Sequence, residues 1–85
     1  MDLRSKFEEA AARSRNLGEQ PNDVLLRLYA LYKQATAGDA SGPRPGAFNM
    51  VSRAKYDAWA ALAGTAGETA MRDYIALVAE LSRSV

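Results

Sequence analysis

Tyr29, Tyr32 and Lys33, in the run LYALYKQATAGD from Leu28 to Asp39, are the residues of this chain whose types and spacing best suit chemistry. On a helix turning about 100° per residue they stand at i, i+3 and i+4, so two flat rings and an ammonium share one surface. That surface could hold an aromatic base beside a phosphate. Val24, Leu28, Leu31 and Ala35 fall on another face of the same helix, which is left to pack against the rest of the protein.

Other chemistry is excluded by what the chain lacks. It has no cysteine and no histidine, which removes disulfides, thiolate metal sites, the commonest metal ligand and the usual general base. The acids Glu8, Glu9 and Asp57 show no pairing pattern for acid-base work and read as solvated helix charges. No enzyme, no metal and no cofactor are expected. With 85 residues the chain is expected to be one small domain over 1–85, with little room for a buried catalytic cleft.

The net charge of +1 conceals an uneven distribution. From Lys33 to Lys55 the charged residues sum to +3, and the remainder of the chain to −2. Cations this near the tyrosine face favour a small anionic ligand. A nucleic-acid duplex would call for a broader basic stripe than a pI of 8.1 supplies, so no nucleic acid is expected as partner. There is no basic leader before an apolar core, and no apolar run approaches the roughly 20 residues of a membrane span. A cytoplasmic monomer without a stable membrane anchor is the expectation.

Hydrophobic periodicity predicts four helices and no strand. The first carries Leu3, Phe7, Ala10, Ala11 and Ser14 at helical spacing and should end near Leu17, with Gly18 in the left-handed conformation. The second should follow Pro21, capped by Asn22 or Asp23, and stop at Gly38 after Ala37. Asp39 to Phe48, with Gly42, Pro43, Arg44, Pro45 and Gly46, reads as a long ordered loop whose far end Phe48 and Met50 would pin.

The third helix is expected over Val51 to Ala63, with Asn49 or Ser52 as its cap and Ala54, Ala58, Ala61 and Leu62 on its inner face. Gly64 would end it. Thr65, Ala66, Gly67 and Glu68 form a capping-box pattern for a fourth helix, whose Met71, Tyr74, Ile75, Val78 and Leu81 recur on one face almost to Val85. Two short turns and one long connection predict an all-α, up-down-down-up four-helix bundle, with helices one and two, and three and four, as antiparallel neighbours.

LYALYKQATAGD, RPG at Arg44 to Gly46, AKYDAW at Ala54 to Trp59 and AMRDYI at Ala70 to Ile75 resemble the acyl-CoA-binding protein family in order and near spacing. The match extends over nearly the whole chain. The resemblance implies a four-helix bundle that binds, buffers and transports medium to long fatty acyl-CoA thioesters without changing them, in exchange with acyl-CoA-using enzymes.

By that resemblance Lys33 and Lys55 would neutralise the adenosine 3′-phosphate, and the Tyr29 hydroxyl would donate to the same group. Tyr32 would lie against adenine. Tyr74 would contact the nucleotide from another side, although it falls on the apolar stripe of its helix, where pattern alone reads it as core. Arg15 would contact the ligand as well. For the acyl chain, Phe7, Ala10 and Ala11 of the first helix and Leu25 and Leu26 of the second could form an apolar groove, or could simply be core.

Trp59 reads as a packing anchor with its indole N–H at the rim, and Arg44 with Pro45 and Gly46 as a fixture of the loop. Val51 stands where many family members carry a ligand-contacting lysine, which implies one phosphate cation fewer and a larger share for Lys33. Tyr56 replaces the usual tryptophan, and the turn between the first two helices is one residue short. The alternative reading is a helical protein-interaction module that keeps this scaffold without the ligand.

Overall fold

The computed structural model describes residues 1–83, and it arranges them as four helices with no strand among the described residues: α1 (Leu3–Ser14), α2 (Asn22–Ala37), α3 (Met50–Ala60) and α4 (Gly67–Arg83). The expected continuation of α4 toward Val85 lies outside the described residues. Each helix start and stop has a local cause, and several differ from expectation.

Asp2 opens α1, its carboxylate accepting the Ser5 N–H at 2.8 Å. At the other end the chain tightens instead of turning left-handed: the N–H groups of Arg15, Asn16 and Leu17 donate to the carbonyls of Ala12, Arg13 and Ser14. Those i→i+3 bonds satisfy the orphan carbonyls, so no left-handed residue is needed, and Gly18 does not adopt a positive φ. In α2, Asn22 and Asp23 are the first helical residues and not side-chain caps. The flanking position is Pro21, in extended conformation. Gly38 ends the helix as expected, at φ 80°.

The end of α3 also tightens into i→i+3 bonds, Leu62 to Trp59 and Ala63 to Ala60, so the regular helix stops at Ala60 and leaves Ala61 exposed. The capping box expected at Thr65 does not form. The first helical bond of α4 runs from Ala70 N–H to Ala66 carbonyl, which puts Thr65 one residue outside the cap. Its carbonyl instead accepts the side-chain amide of Gln34 at 2.9 Å.

The bundle is all-α with up-down-down-up order. Residues 22–26 of α2 face 50–54 of α3, and Lys33 faces Trp59, so these helices run parallel. Ala35 lies beside Gly67 and Tyr32 beside Tyr74, so α4 runs antiparallel to α2. The close backbone pairs are α2 with α4, α1 with α4, and α2 with α3. Chain neighbours α1 and α2 therefore do not pack backbone to backbone, nor do α3 and α4. A short turn limits how far apart two helix ends can be, but burial decides which faces meet: α4, with the strongest apolar stripe, and α2 pack together at the centre, with α1 against α4 and α3 against α2.

Phe7 and Ala10 of α1, Leu28 and Leu31 of α2, and Ala70, Met71, Tyr74 and Val78 of α4 form the core. The face of α2 expected to pack does so, Val24 and Ala35 flanking it half-buried. From α3 only Trp59 is buried, its indole N–H donating to the Gly38 carbonyl at 2.7 Å.

The long connection is pinned by polar contacts and not by Phe48 or Met50, both of which stand in solvent. Arg44 grips the Asp57 carboxylate with two parallel N–H bonds of 2.8 and 2.7 Å, and the Tyr56 hydroxyl donates to the Gly42 carbonyl. Arg44 thus fixes the loop, as its place in the sequence predicts. At the loop's other end Asp39 Oδ1 accepts from the buried Gln34 amide at 2.8 Å and from the Gly64 N–H at 2.9 Å.

These bonds hold carboxylates in their charged form. The Gly64 N–H and then the Gln34 amide lower the Asp39 pKa below its ordinary 3.8. Arg44 lowers that of Asp57, and the Ser5 N–H lowers that of Asp2. A carboxylate whose folded pKa is depressed stabilises the fold fully above its unfolded pKa and loses that contribution as pH falls through the folded value. The melting temperature is therefore expected to change little from pH 7 to about 5 on account of these groups and to decline below about 4. Thermal melts by circular dichroism check this, and Asp39→Asn should shrink the acid-side decline.

Candidate functional site

Two of the clefts along the helix seams border α2. The first, between α2 and α3, is an apolar groove of about 290 Å³ lined by Asn22, Leu25, Leu26, Met50, Val51, Ala54 and Lys55. It exists because the parallel pair opens toward its N-terminal ends, where α3 contributes no buried side chain until Trp59. Leu25 is half exposed at this groove, whereas Leu28 and Leu31 of the same helix are buried.

Along the same seam, toward the helix C-termini, stand the cations. Lys55 Nζ lies 5.4 Å from the centre of the Tyr29 ring, and Lys33 Nζ lies 4.8 Å from that of Trp59. Ring faces are electron-rich, so each ammonium is steadied without being neutralised. Neither lysine forms an ion pair among the described residues, whose carboxylates at Asp57 and Glu9 are held by Arg44 and Arg13. The seam therefore presents two uncompensated positive charges at the edge of an apolar groove.

The second cleft, of about 280 Å³, lies between α1 and α2 and is lined by Arg4, Phe7, Glu8, Ala11, Ala12, Arg15, Tyr32 and Thr36. Its polar rim surrounds an aromatic floor. Phe7 and Tyr32 stack at 5.5 Å with 27° between ring planes, and Tyr74 meets Phe7 edge-on at 5.2 Å and Tyr32 at 6.1 Å. Tyr32 is 42 % exposed, so one side of its ring is free for a flat partner while the rest is backed by Phe7.

Among the residues marked by sequence, Tyr29 and Lys55 are brought into contact, and Leu25 and Leu26 share the groove. Arg15 and Ala11 join Tyr32 at the second cleft. Tyr74 is core: it is 4 % exposed, and its hydroxyl donates to Ser14 Oγ at 3.0 Å, which in turn donates to the Ala11 carbonyl. This is the place that helical pattern predicts, deep behind Tyr32.

Phe7 and Ala10 do not meet Leu25 and Leu26. They are 3 % and 5 % exposed, built into the core against α4, so the single apolar groove expected from α1 and α2 resolves into core and two separate clefts. Of the α3 wall of the groove, Val51 was marked by the resemblance only as a missing phosphate cation, and Met50 and Ala54 were not legible as a site. Its spacing of i, i+1 and i+4 was available, but Met50 read as a pin for the loop and Ala54 as helix interior. Gln34 was also missed: a glutamine inside a helix shows nothing by type or spacing of the two carboxylate and carbonyl partners it will find.

A family model described as Acyl CoA binding protein matches residues 4–78. The acyl-CoA-binding protein of Ricinus communis is 50 % identical over 82 residues, spanning 95 % of this chain and 91 % of that protein. The enoyl-CoA delta isomerase 2 of Rattus norvegicus is 51 % identical over 79 residues, but although 92 % of this chain is matched it spans only 20 % of that protein. Among solved structures, acyl-CoA-binding protein 2 of Oryza sativa superposes with a TM-score of 0.94 at 44 % identity, spanning 98 % of this chain and 93 % of that one. With the motifs, the bundle and the matched length in agreement, the chain belongs to the acyl-CoA-binding protein family.

Proposed function

We propose that this chain binds long-chain fatty acyl-CoA thioesters and releases them unchanged, buffering and carrying them in the cytoplasm, as a monomer, between the enzymes that make and use them. The observation that supports this most is the α2–α3 seam: uncompensated Lys33 and Lys55 at one end and an apolar groove at the other, an arrangement matched to a ligand that is anionic at one end and hydrocarbon at the other. Its mechanism is partition. Binding removes the alkyl chain from water, and the charged end fixes the direction in which the ligand lies.

In this reading Lys33, Lys55 and the Tyr29 hydroxyl hold the 3′-phosphate, the exposed side of Tyr32 takes the adenine ring, and Arg15 flanks the nucleotide. Tyr74 acts from behind, holding Tyr32 and Ser14 in position. Leu25 and Leu26, joined by Met50 and Val51, shelter the alkyl chain. Val51 in place of the usual lysine extends the apolar lining and leaves the phosphate to two lysines, so Lys33 carries more of its charge.

Calorimetry with a series of acyl-CoAs, free CoA and palmitate tests the proposal. Each methylene buried contributes about 0.8 kcal/mol, so affinity should rise about fourfold per added methylene until the groove is full and then level off. Absence of saturable, chain-length-dependent binding of the thioesters overturns it.

A further inference from the structure

We propose that the turn at Gly46–Asn49 and the first turn of α3 form a docking tip for anionic lipid bilayers, with Phe48 as the inserted side chain. The inference rests on the acyl-CoA reading for its purpose but not for its evidence. Phe48 is 102 % exposed, Met50 76 % and Val51 70 %, three apolar side chains in solvent within four residues. A scattered exposed leucine needs no explanation, whereas an aromatic ring with no protein contact beside two further exposed apolar side chains does.

The tip is built to hold that exposure. The Asn49 N–H donates to the Gly46 carbonyl at 3.0 Å, closing a turn with Ala47 and Phe48 at its centre, and the Asn49 carbonyl accepts the Arg53 N–H as α3 begins. Behind it, the Arg44–Asp57 pair and the Tyr56 bond to Gly42 anchor both sides of the connection to α3. The ring therefore cannot retreat into the core without breaking the turn and those bonds.

Charge identifies the occupant. Arg53 and Lys55 stand three and four residues after Met50 and Val51, on the same faces of α3, and the stretch from Lys33 to Lys55 carries +3. The acid closest to them on that helix, Asp57, is already taken by Arg44. Apolar side chains on a small tip, flanked by cations, match a bilayer whose headgroups are anionic: the ring enters the acyl boundary while the cations remain at the surface. Met50 and Val51 also line the α2–α3 groove, so the groove opens at the tip. A hydrocarbon chain could pass between bilayer and groove without crossing water.

Vesicle co-sedimentation of the full chain, with phosphatidylcholine alone and with phosphatidylcholine containing phosphatidylserine, tests the inference. Partition into the anionic vesicles should exceed that into neutral ones by roughly fivefold or more. Phe48→Ser should lower it about tenfold or more, with unchanged circular dichroism and unchanged palmitoyl-CoA affinity in solution, because Phe48 lines neither cleft. No partition by the wild-type chain, equal partition into both vesicles, or undiminished partition by Phe48→Ser would each overturn it. So would a Phe48-dependent dimer in sedimentation, or Phe48-dependent capture of another protein without vesicle binding. Loss of palmitoyl-CoA binding alone would remove the carrier reading and leave Phe48-dependent docking standing.

Discussion

Trp59→Ala should destabilise the fold by about 3 to 5 kcal/mol, the usual cost of truncating a buried indole. Trp59 is the only buried side chain of α3, and its N–H donates to the Gly38 carbonyl where α2 ends. Truncation leaves a void, an unsatisfied carbonyl and a helix with no other buried anchor. Each kcal/mol shifts the midpoint of a chain this size by roughly 4 to 8 °C, so a loss readable by calorimetry or circular dichroism is expected. Acyl-CoA affinity should fall too, because Lys33 rests on that ring. Trp59→Phe separates the two effects: it keeps a ring under Lys33 but gives up the bond to Gly38, so affinity should suffer less than stability.

The second large effect is expected at the paired cations. Hydrogen bonds to charged groups contribute about 1.5 to 3 kcal/mol, so Lys33→Ala and Lys55→Ala should each weaken binding of a long-chain acyl-CoA by about tenfold to a hundredfold. Stability should change little, since Lys55 is exposed, Lys33 is half-buried and neither has an ion pair to lose among the described residues. The diagnostic comparison uses the same ligand without its 3′-phosphate. If the lysines act on that group, the dephospho ligand binds the wild type more weakly and is nearly indifferent to both substitutions. An equal loss for both ligands would move the lysines' role elsewhere on the nucleotide.

Much of this was legible before any fold was known, and the division is physical. The helix count, the face of α2 that packs and the stop at Gly38 follow from periodicity and backbone freedom, which act over a few residues. Trp59 as an anchor and Arg44 as a loop fixture were also readable. A single indole in an alanine-rich helix has few other uses, and an arginine between a proline pair cannot join a helix. The capping-box pattern was misleading because the helix begins one residue later than it requires, at Gly67, and the Thr65 carbonyl pairs instead with Gln34, 31 positions away. Phe48 and Met50, apolar by type, read as pins for the far end of the loop, yet they are exposed. The α3 wall of the groove was invisible for a related reason: a cleft is a gap between two elements, and a pattern along one helix cannot show that its partner stands away.

The aromatic cluster at Phe7, Tyr32 and Tyr74 bears on how the fold responds to occupancy. Backbone packing leaves α1 and α2 apart, and Phe7 on Tyr32 is the ring contact that spans them, at the floor of the second cleft. A molecule seated on Tyr32 and reaching Arg4 or Arg15 would supply the packing between these helices that the polypeptide omits. Cargo would then serve as a structural member of the bundle, and the loaded protein would gain stability with free ligand as RT ln(1 + [L]/Kd). For a chain of 85 residues with a modest core, the empty and loaded forms would differ less in shape than in how long α1 stays docked.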